Sequence, residues 1–392
     1  MTTGPLAGVR VIDLTAVGMG PMATQLLGDY GADVIKVESA EGDVFRHVTP
    51  QRHHGMSHAY LNLNRNKRSV VLDAKSEVGR GDLMMLLETA DVFVSNMRAP
   101  ALRRLGLDAN ALTARFPRLI HCTCYGYSER GPYAGRAAVD DTIQAASGVA
   151  WLQGNAGATA PEYVKTVVAD KVVGLYVANA ITSALYEREK SGSGQAIEVP
   201  MFECMVSFLA VEHLAGKSYL PPKGSTGYAR LLNEFRRPFR TLDGYIGVVP
   251  YTDGQWKRFF ELAGEPALAA DARYSTPPAR SRHFPDLYAY VEEILARKST
   301  AEWLALLDEA DIPFAPVKSL DELLDDPHLN ALGFWQRVEH PTEGTLIQAG
   351  LPVHFSRTPA SVRRHAPSLG EHTDELLGAI GAFRHEQPGR QK

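Results

Sequence analysis

Residues 8–38 constrain the fold of this chain more than any other stretch, because they read as strand, helix and strand in immediate succession. Val9-Arg10-Val11-Ile12-Asp13-Leu14 is short, apolar and β-branched, as a buried strand should be. Pro21 suits a first helical position, and Met22, Leu26, Leu27 and Tyr30 then fall on one face at helical spacing. Gly31 stops the helix, and Ala32 to Glu38 forms the second strand. Gly18-x-Gly20-x-x-Ala23 also matches the loose dinucleotide-binding pattern, with Glu38 twenty residues beyond Gly18. The spacing around it argues against a nicotinamide cofactor. A pyrophosphate loop turns tightly from the strand into its first glycine, whereas Thr15-Ala16-Val17 intervene here. Pro21 also removes one of the N–H groups that would face a phosphate. A nicotinamide-dependent oxidoreductase stays as an alternative.

The same alternation continues. Strands are expected at 68–72, 91–94 and 119–123, with a helix over 77–88 that turns Leu83, Leu86 and Leu87 inward and a helical stretch over 100–105. Gln195 to Val199 reads as the last strand. Pro200 then opens a helix over 201–215 whose buried face is Phe202, Met205, Val206 and Leu209. This is α/β, with an open, mostly parallel Rossmann-like sheet. The texture changes after Gly216: Pro221 to Gly227 reads as a linker, and Asp243-Gly244 as the turn of a hairpin. Helices over 255–263, 284–296 and 300–310 follow. The domains expected are a large one over 1–216, a small α+β one over 225–332, and a return of 333–392 to the large one. The polar run from Arg384 to Lys392 is expected to fray.

Net charge of −4 gives no electrostatic case for nucleic acid or an anionic membrane as partner. No apolar run is read as reaching the roughly 18 residues of a membrane span. The amino terminus lacks the basic, apolar, small-residue series of a signal peptide, and three cysteines suit a reducing compartment; the expected location is cytoplasmic. Cys122 and Cys124 alternate along a strand with no second ligand pair nearby. His53, His54 and His58 lack acidic or cysteine partners at ligand spacing, so no metal is expected.

Asp170 is the leading candidate for chemistry. It precedes a long helix, running to about Glu189, whose stripe includes Val173, Val177, Ile181 and Leu185. As an N-cap it would accept hydrogen bonds from free N–H groups. Those bonds and the helix dipole would hold its pKa low, and an ionised carboxylate can be a nucleophile. The two readings are compatible. Asn64-Arg65-Asn66-Lys67-Arg68 reads as a solvated loop, or alternatively a phosphate-binding one. Arg98, Arg103 and Arg104 form a second basic cluster, and Arg230, Arg236, Arg237 and Arg240 a third at the domain junction.

Gly4 to Leu14, Gly31 to Glu38, Asn64 to Ser69, Val168-Ala169-Asp170, Gly192 to Gln195, Ile312 to Val317 and Leu369 to Thr373 together resemble the family III CoA-transferases. That group includes formyl-CoA transferase, carnitine CoA-transferase and the α-methylacyl-CoA racemases. The resemblance implies a large α/β domain built from both termini, a smaller middle domain, and an interlocked homodimer. It implies transfer of CoA between an acyl-CoA and a free carboxylic acid, with coenzyme A as substrate and product and no permanently bound cofactor. Asp170 matches the catalytic aspartate, which forms a mixed anhydride and then an aspartyl-CoA thioester. Gly18 and Met19 match the loop under the pantetheine, Leu72 and Lys75 the adenosine pocket, Asn96, Met97 and Arg98 a contact turn, Arg104 the phosphate arginine, and Asp141 an acidic residue at the far end. Ala16 and Ser39 stand where formyl-CoA transferase carries His and Arg, which argues against formyl or oxalate specificity. Val139 stands where the racemases place a catalytic His, which argues against an epimerase. One of the arginines Arg230, Arg236, Arg237 and Arg240 is expected to meet the distal carboxylate of a dicarboxylic acyl group such as succinyl, with at least two of the others in a solvated loop.

Overall fold

A computed structural model describes residues 3–382, so the run from Arg384 to Lys392 lies outside the described residues. The chain divides into two compact units. The first comprises Met1–Val149, Tyr163–Phe208 and Leu332–Lys392, and the second Ala150–Glu162 and Leu209–Ala331. Residues 150–162 and 209–216 therefore fall in the second unit, whereas the large domain was expected over 1–216.

The first unit is built on six parallel strands in the order β3-β2-β1-β4-β5-β6. They are β1 (Arg10–Leu14), β2 (Asp33–Glu38), β3 (Lys67–Val71), β4 (Val92–Ser95), β5 (Ile120–Tyr125) and β6 (Ala196–Pro200). Val11, Ile12, Ile35, Val70, Phe93 and Cys122 are buried along it, because strands covered on both faces become continuous apolar runs. The helix Met19–Asp29 crosses from β1 to β2, and the helix Glu77–Glu88 buries Leu83, Leu86 and Leu87 as its spacing requires. The helix Val168–Ser191 buries Val173, Val177, Ile181 and Leu185 against the sheet. By length and mean hydropathy that helix could also cross a bilayer, contrary to the expectation that no run is long enough. It packs instead as a core helix, with Asp170 and Arg188 buried on it.

One helix departs from its pattern. Met201–His213 buries Met201 and Met205, while Val206, assigned to its inner face, is exposed beside Phe208.

The second unit holds the expected hairpin, β7 (Phe239–Arg240) and β8 (Tyr245–Val248), joined by a third strand, β9 (Phe314–Pro316). Its core gathers Phe259, Phe260, Leu287, Val291 and Trp303 from the helices that follow. In the first unit, β10 (Trp335–His340) and β11 (Gly344–Ala349) pair as an antiparallel hairpin, and Thr373–Ala379 is the last helix among the described residues.

Candidate active site

Sheet order reverses between β1 and β4, and the loops leaving their carboxyl ends diverge there, which opens a crevice where open α/β sheets bind ligands. Thr15 to Gly18 leaves β1 and Asn96 to Arg98 leaves β4. Asn96 ties them together: its Oδ1 accepts from Ala16 N–H at 3.1 Å and its Nδ2 donates to Ala16 C=O at 2.7 Å. Two cavities share this pair. One, of about 290 Å³, is lined by Val17, Gly18, Met19, Asp140, Asp141 and Asp170, with Phe45, Val139, Val167 and Met201 as apolar wall. The other, of about 520 Å³, is lined by Leu72, Lys75, Asn96 and Met97, together with Ser39 and Leu105.

Asp170 is not the helix cap. The helix starts at Val168 after Val167, which places Asp170 in its first turn. The capping acceptor comes from elsewhere: Asp140 Oδ1 takes the Asp170 backbone N–H at 2.9 Å. Asp140 is itself fixed by Gln144 Nε2 at 2.5 Å, and Gln144 Oε1 accepts from Val164 N–H at 2.9 Å. Asp140 was missed in the sequence because thirty residues separate it from the helix it caps. Its helix, Asp140–Ser147, is short and polar, with no apolar stripe to mark it.

The Asp170 carboxylate accepts no hydrogen bond among the described residues and is buried to 8 % exposure. Burial pushes its pKa up to about 7, and the neighbouring Asp140 charge adds to the rise. The helix dipole acts the other way, but at about 0.3–1 kcal/mol it is the weaker effect. The low pKa expected from a capping role is thus corrected: the hydrogen bonds that would have lowered it are absent.

The two glycines of the dinucleotide-like pattern have a different purpose. A Cβ at Gly18 would collide with the Asp170 carboxylate, and one at Gly20 with the Thr15 side chain. Glu38 is unavailable to a ribose, since Arg46 donates to it at 2.8 and 2.7 Å and Ser69 at 2.7 Å. Both findings count against the nicotinamide reading.

Asn64 to Arg68 is neither a solvated loop nor a phosphate cradle. All five residues are buried, and each cation has an internal acid. Arg65 binds Asp29 (2.8 Å), Lys67 binds Asp13 (3.1 Å), and Arg68 binds Asp33 (2.6 Å) and Glu375 (2.8 Å).

Of the other residues marked in the sequence, Gly18, Met19 and Asp141 line the smaller cavity, Leu72, Lys75 and Met97 the larger, and Asn96 both. Arg98 and Arg104 line neither. They are exposed, at the start and in the last turn of the helix Ala99–Leu105. Ser39 lines the larger cavity and donates to Glu41 at 2.7 Å. In the second unit Arg236 and Arg237 line a separate cavity with His213 and Asn233. Arg237 there pairs with Glu292 at 2.9 Å, Arg230 donates to the Tyr288 hydroxyl at 3.3 Å, and Arg240 is exposed on β7.

A buried, unpartnered carboxylate lining a cavity beside the switch point of a parallel sheet marks a candidate catalytic group. Residues 6–373 match the family model described as CoA-transferase family III, and the chain belongs to that family and is a CoA-transferase. It is 33% identical over 385 residues to succinate–glutarate CoA-transferase of Agrobacterium fabrum, covering 96% of each chain. It is 32% identical over 409 residues to formyl-CoA:oxalate CoA-transferase of Rhodopseudomonas palustris, covering 98% of this chain and 95% of that one. Among solved structures, a CaiB/BaiF family protein from Brucella suis superposes with a TM-score of 0.80 at 32% identity, covering 96% and 100% of the two chains. Rv3272 from Mycobacterium tuberculosis superposes at 0.82 with 28% identity, covering 96% and 99%.

Proposed function

We propose that Asp170 is the nucleophile of CoA transfer. The observation that carries this is its carboxylate: buried, free of hydrogen bonds among the described residues, and facing a cavity. A carboxylate oxygen attacks the thioester carbonyl and expels CoA thiolate, leaving a mixed anhydride. The thiolate then attacks the aspartyl carbonyl, releasing the donor acid and forming an aspartyl thioester. The acceptor carboxylate attacks that thioester and displaces the thiolate again. Finally the thiolate takes the acceptor's acyl group, which restores Asp170. Each intermediate keeps the acyl carbon activated, so exclusion of water is essential. Trapping with hydroxylamine during incubation with an acyl-CoA should leave a modified Asp170, read by mass spectrometry. An unmodified Asp170 in an active enzyme refutes the mechanism.

The CoA ester is assigned to the larger cavity, with its adenosine by Leu72 and Lys75, Met97 and Arg98 along the β4 turn, and Arg104 at the phosphates. Gly18 and Met19 lie under the pantetheine arm, where Asn96 bridges to the smaller cavity, and Asp141 closes the far end at Asp170. Epimerisation is disfavoured, because Val139 lies in the Asp170 cavity and no histidine is among its lining residues to act as a second acid or base.

The acyl groups we assign are dicarboxylic. Succinate and glutarate, in the name of the Agrobacterium fabrum relative, are both diacids. The Asp170 cavity has three carboxylates and no Lys, Arg or His among its lining residues, so a distal carboxylate needs a cation from elsewhere. Arg230, Arg236, Arg237 and Arg240 are the candidates, since a guanidinium fork pairs with both carboxylate oxygens. Succinyl-CoA should exceed butyryl-CoA in kcat/KM by about tenfold or more, and equal values would remove these arginines from the site. We further assign the chain to a homodimer in a reducing, cytoplasmic compartment, where its three free cysteines persist.

A further inference from the structure

Val17 occupies the left-handed region, with φ of 72°. For a β-branched residue this is a strained backbone, and it persists only where its surroundings hold it. Several hydrogen bonds hold it. Thr15 N–H donates to Asp13 at 3.0 Å, and Thr15 C=O accepts from buried Lys36 Nζ at 2.7 Å. Ala16 is bonded at both its N–H and its C=O by Asn96. Val17 N–H donates to Asp43 Oδ1 at 3.0 Å, while Asp43 Oδ2 accepts from Lys36 at 2.9 Å. Asp43 is itself seated by its own N–H, which donates to Glu38 Oε1 at 3.0 Å. Lys36 and Asp43 therefore grip the turn at Thr15 C=O and at the N–H of the strained residue itself, and both are buried. The turn ends at Gly18, against the Asp170 carboxylate.

We infer that Asp43, with Lys36, is a positioning residue for CoA transfer. It holds Val17 left-handed so that Gly18 presents a fixed wall to Asp170 and the nucleophile has one seat. This rests on the assignment of Asp170 as nucleophile. Asp43 lies outside the lining of the Asp170 cavity but within that of the larger one, and its Oδ1 also accepts from Phe45 N–H at 3.0 Å, so its effect on Asp170 passes through the Val17 turn and the Phe45 wall. An amide at position 43 cannot accept from Val17 and from Lys36 with both its terminal atoms, so Asp43→Asn breaks one side of the grip.

In fully folded Asp43→Asn, kcat should fall about tenfold or more and by a larger factor than KM for the CoA ester rises, since Asp43 is one lining residue among many in the CoA cavity while the turn it holds seats the nucleophile. Adding Val17→Gly should recover part of the lost kcat, because glycine takes a positive φ without needing to be held. A folded Asp43→Asn enzyme with kcat within about twofold of wild type overturns the inference. So does a double variant with no recovery. Wild-type hydrogen exchange gives a reading that does not depend on any variant's folding: the amides of residues 15–17 should exchange slowly, and rapid exchange overturns the grip. Asp170→Asn is assayed in parallel. If it stays active, the nucleophile assignment fails; if it is dead while Asp43→Asn is fully active, the positioning role alone fails.

Discussion

Gly18 is the position where one methyl group should be most informative. Its φ of −108° suits any residue, so Gly18→Ala meets no backbone penalty, and its whole effect comes from the collision with the Asp170 carboxylate. Turnover should fall about a hundredfold with the fold intact, as a small misplacement of the nucleophile can cost that much. Circular dichroism and kcat measured on the same sample check it. Asp170 itself predicts two pH effects. Activity needs the ionised form, so kcat/KM should rise with pH and reach half its plateau near pH 7, where burial has pushed the carboxyl. Stability runs the opposite way. Between the unfolded value near 4 and about 7 the folded state holds a proton that the unfolded state has lost, so folding weakens as pH rises through that window. Asp170→Asn should therefore melt at a higher temperature than wild type at pH 8, with the difference shrinking toward pH 4. Calorimetry across that range tests it. Asp170 could be singled out from the sequence, but its state could not. Its carboxyl responds to Asp140, and no local pattern joins residues that far apart.

At the scale of elements, periodicity located most of what has an apolar face. The helix over 77–88 was legible to the residue, as were the strands of the first βαβ unit to within a residue or two. Short helices such as His58–Leu63 and Asp140–Ser147 are too brief to show a repeating stripe and went unread. β9 was missed because three residues show no alternation. The run Asn64 to Arg68 was misread for a different reason. A cluster of cations means solvent unless the acids that neutralise it are known, and Asp13, Asp29 and Asp33 sit on other elements. That segment now predicts a structural cost. Arg65→Met would leave Asp29, buried to 1 % exposure, without its bidentate partner. Breaking a buried pair on one side costs about 3–5 kcal/mol, and urea unfolding should show it. A loss below about 1 kcal/mol would mean that Asn66 alone satisfies Asp29.

At the scale of the molecule, the homodimer proposed above is tested at one apolar face. Leu175 and Tyr186 on the Val168–Ser191 helix are 54% and 66% exposed, and Val206 and Phe208 are exposed on the helix that follows β6. Tyr186→Asp combined with Leu175→Asp should shift sedimentation to the mass of one chain; an unchanged mass would place the interface elsewhere. The first unit is also discontinuous in sequence, which has a consequence for how the protein is made. β3 is an edge strand, and the chain that covers it arrives last. Asn66 N–H donates to Arg364 C=O, His372 N–H to Ser69 C=O, and Val71 N–H to the Thr373 hydroxyl. During synthesis the sheet must wait, its edge unpaired, while roughly 290 further residues are translated, about 15–60 s at 5–20 residues per second. An open edge is a template for aggregation. Nascent chains of this protein are thus expected to depend on a holding chaperone until residue 373 has left the ribosome, and those halted before it to be degraded rather than stored.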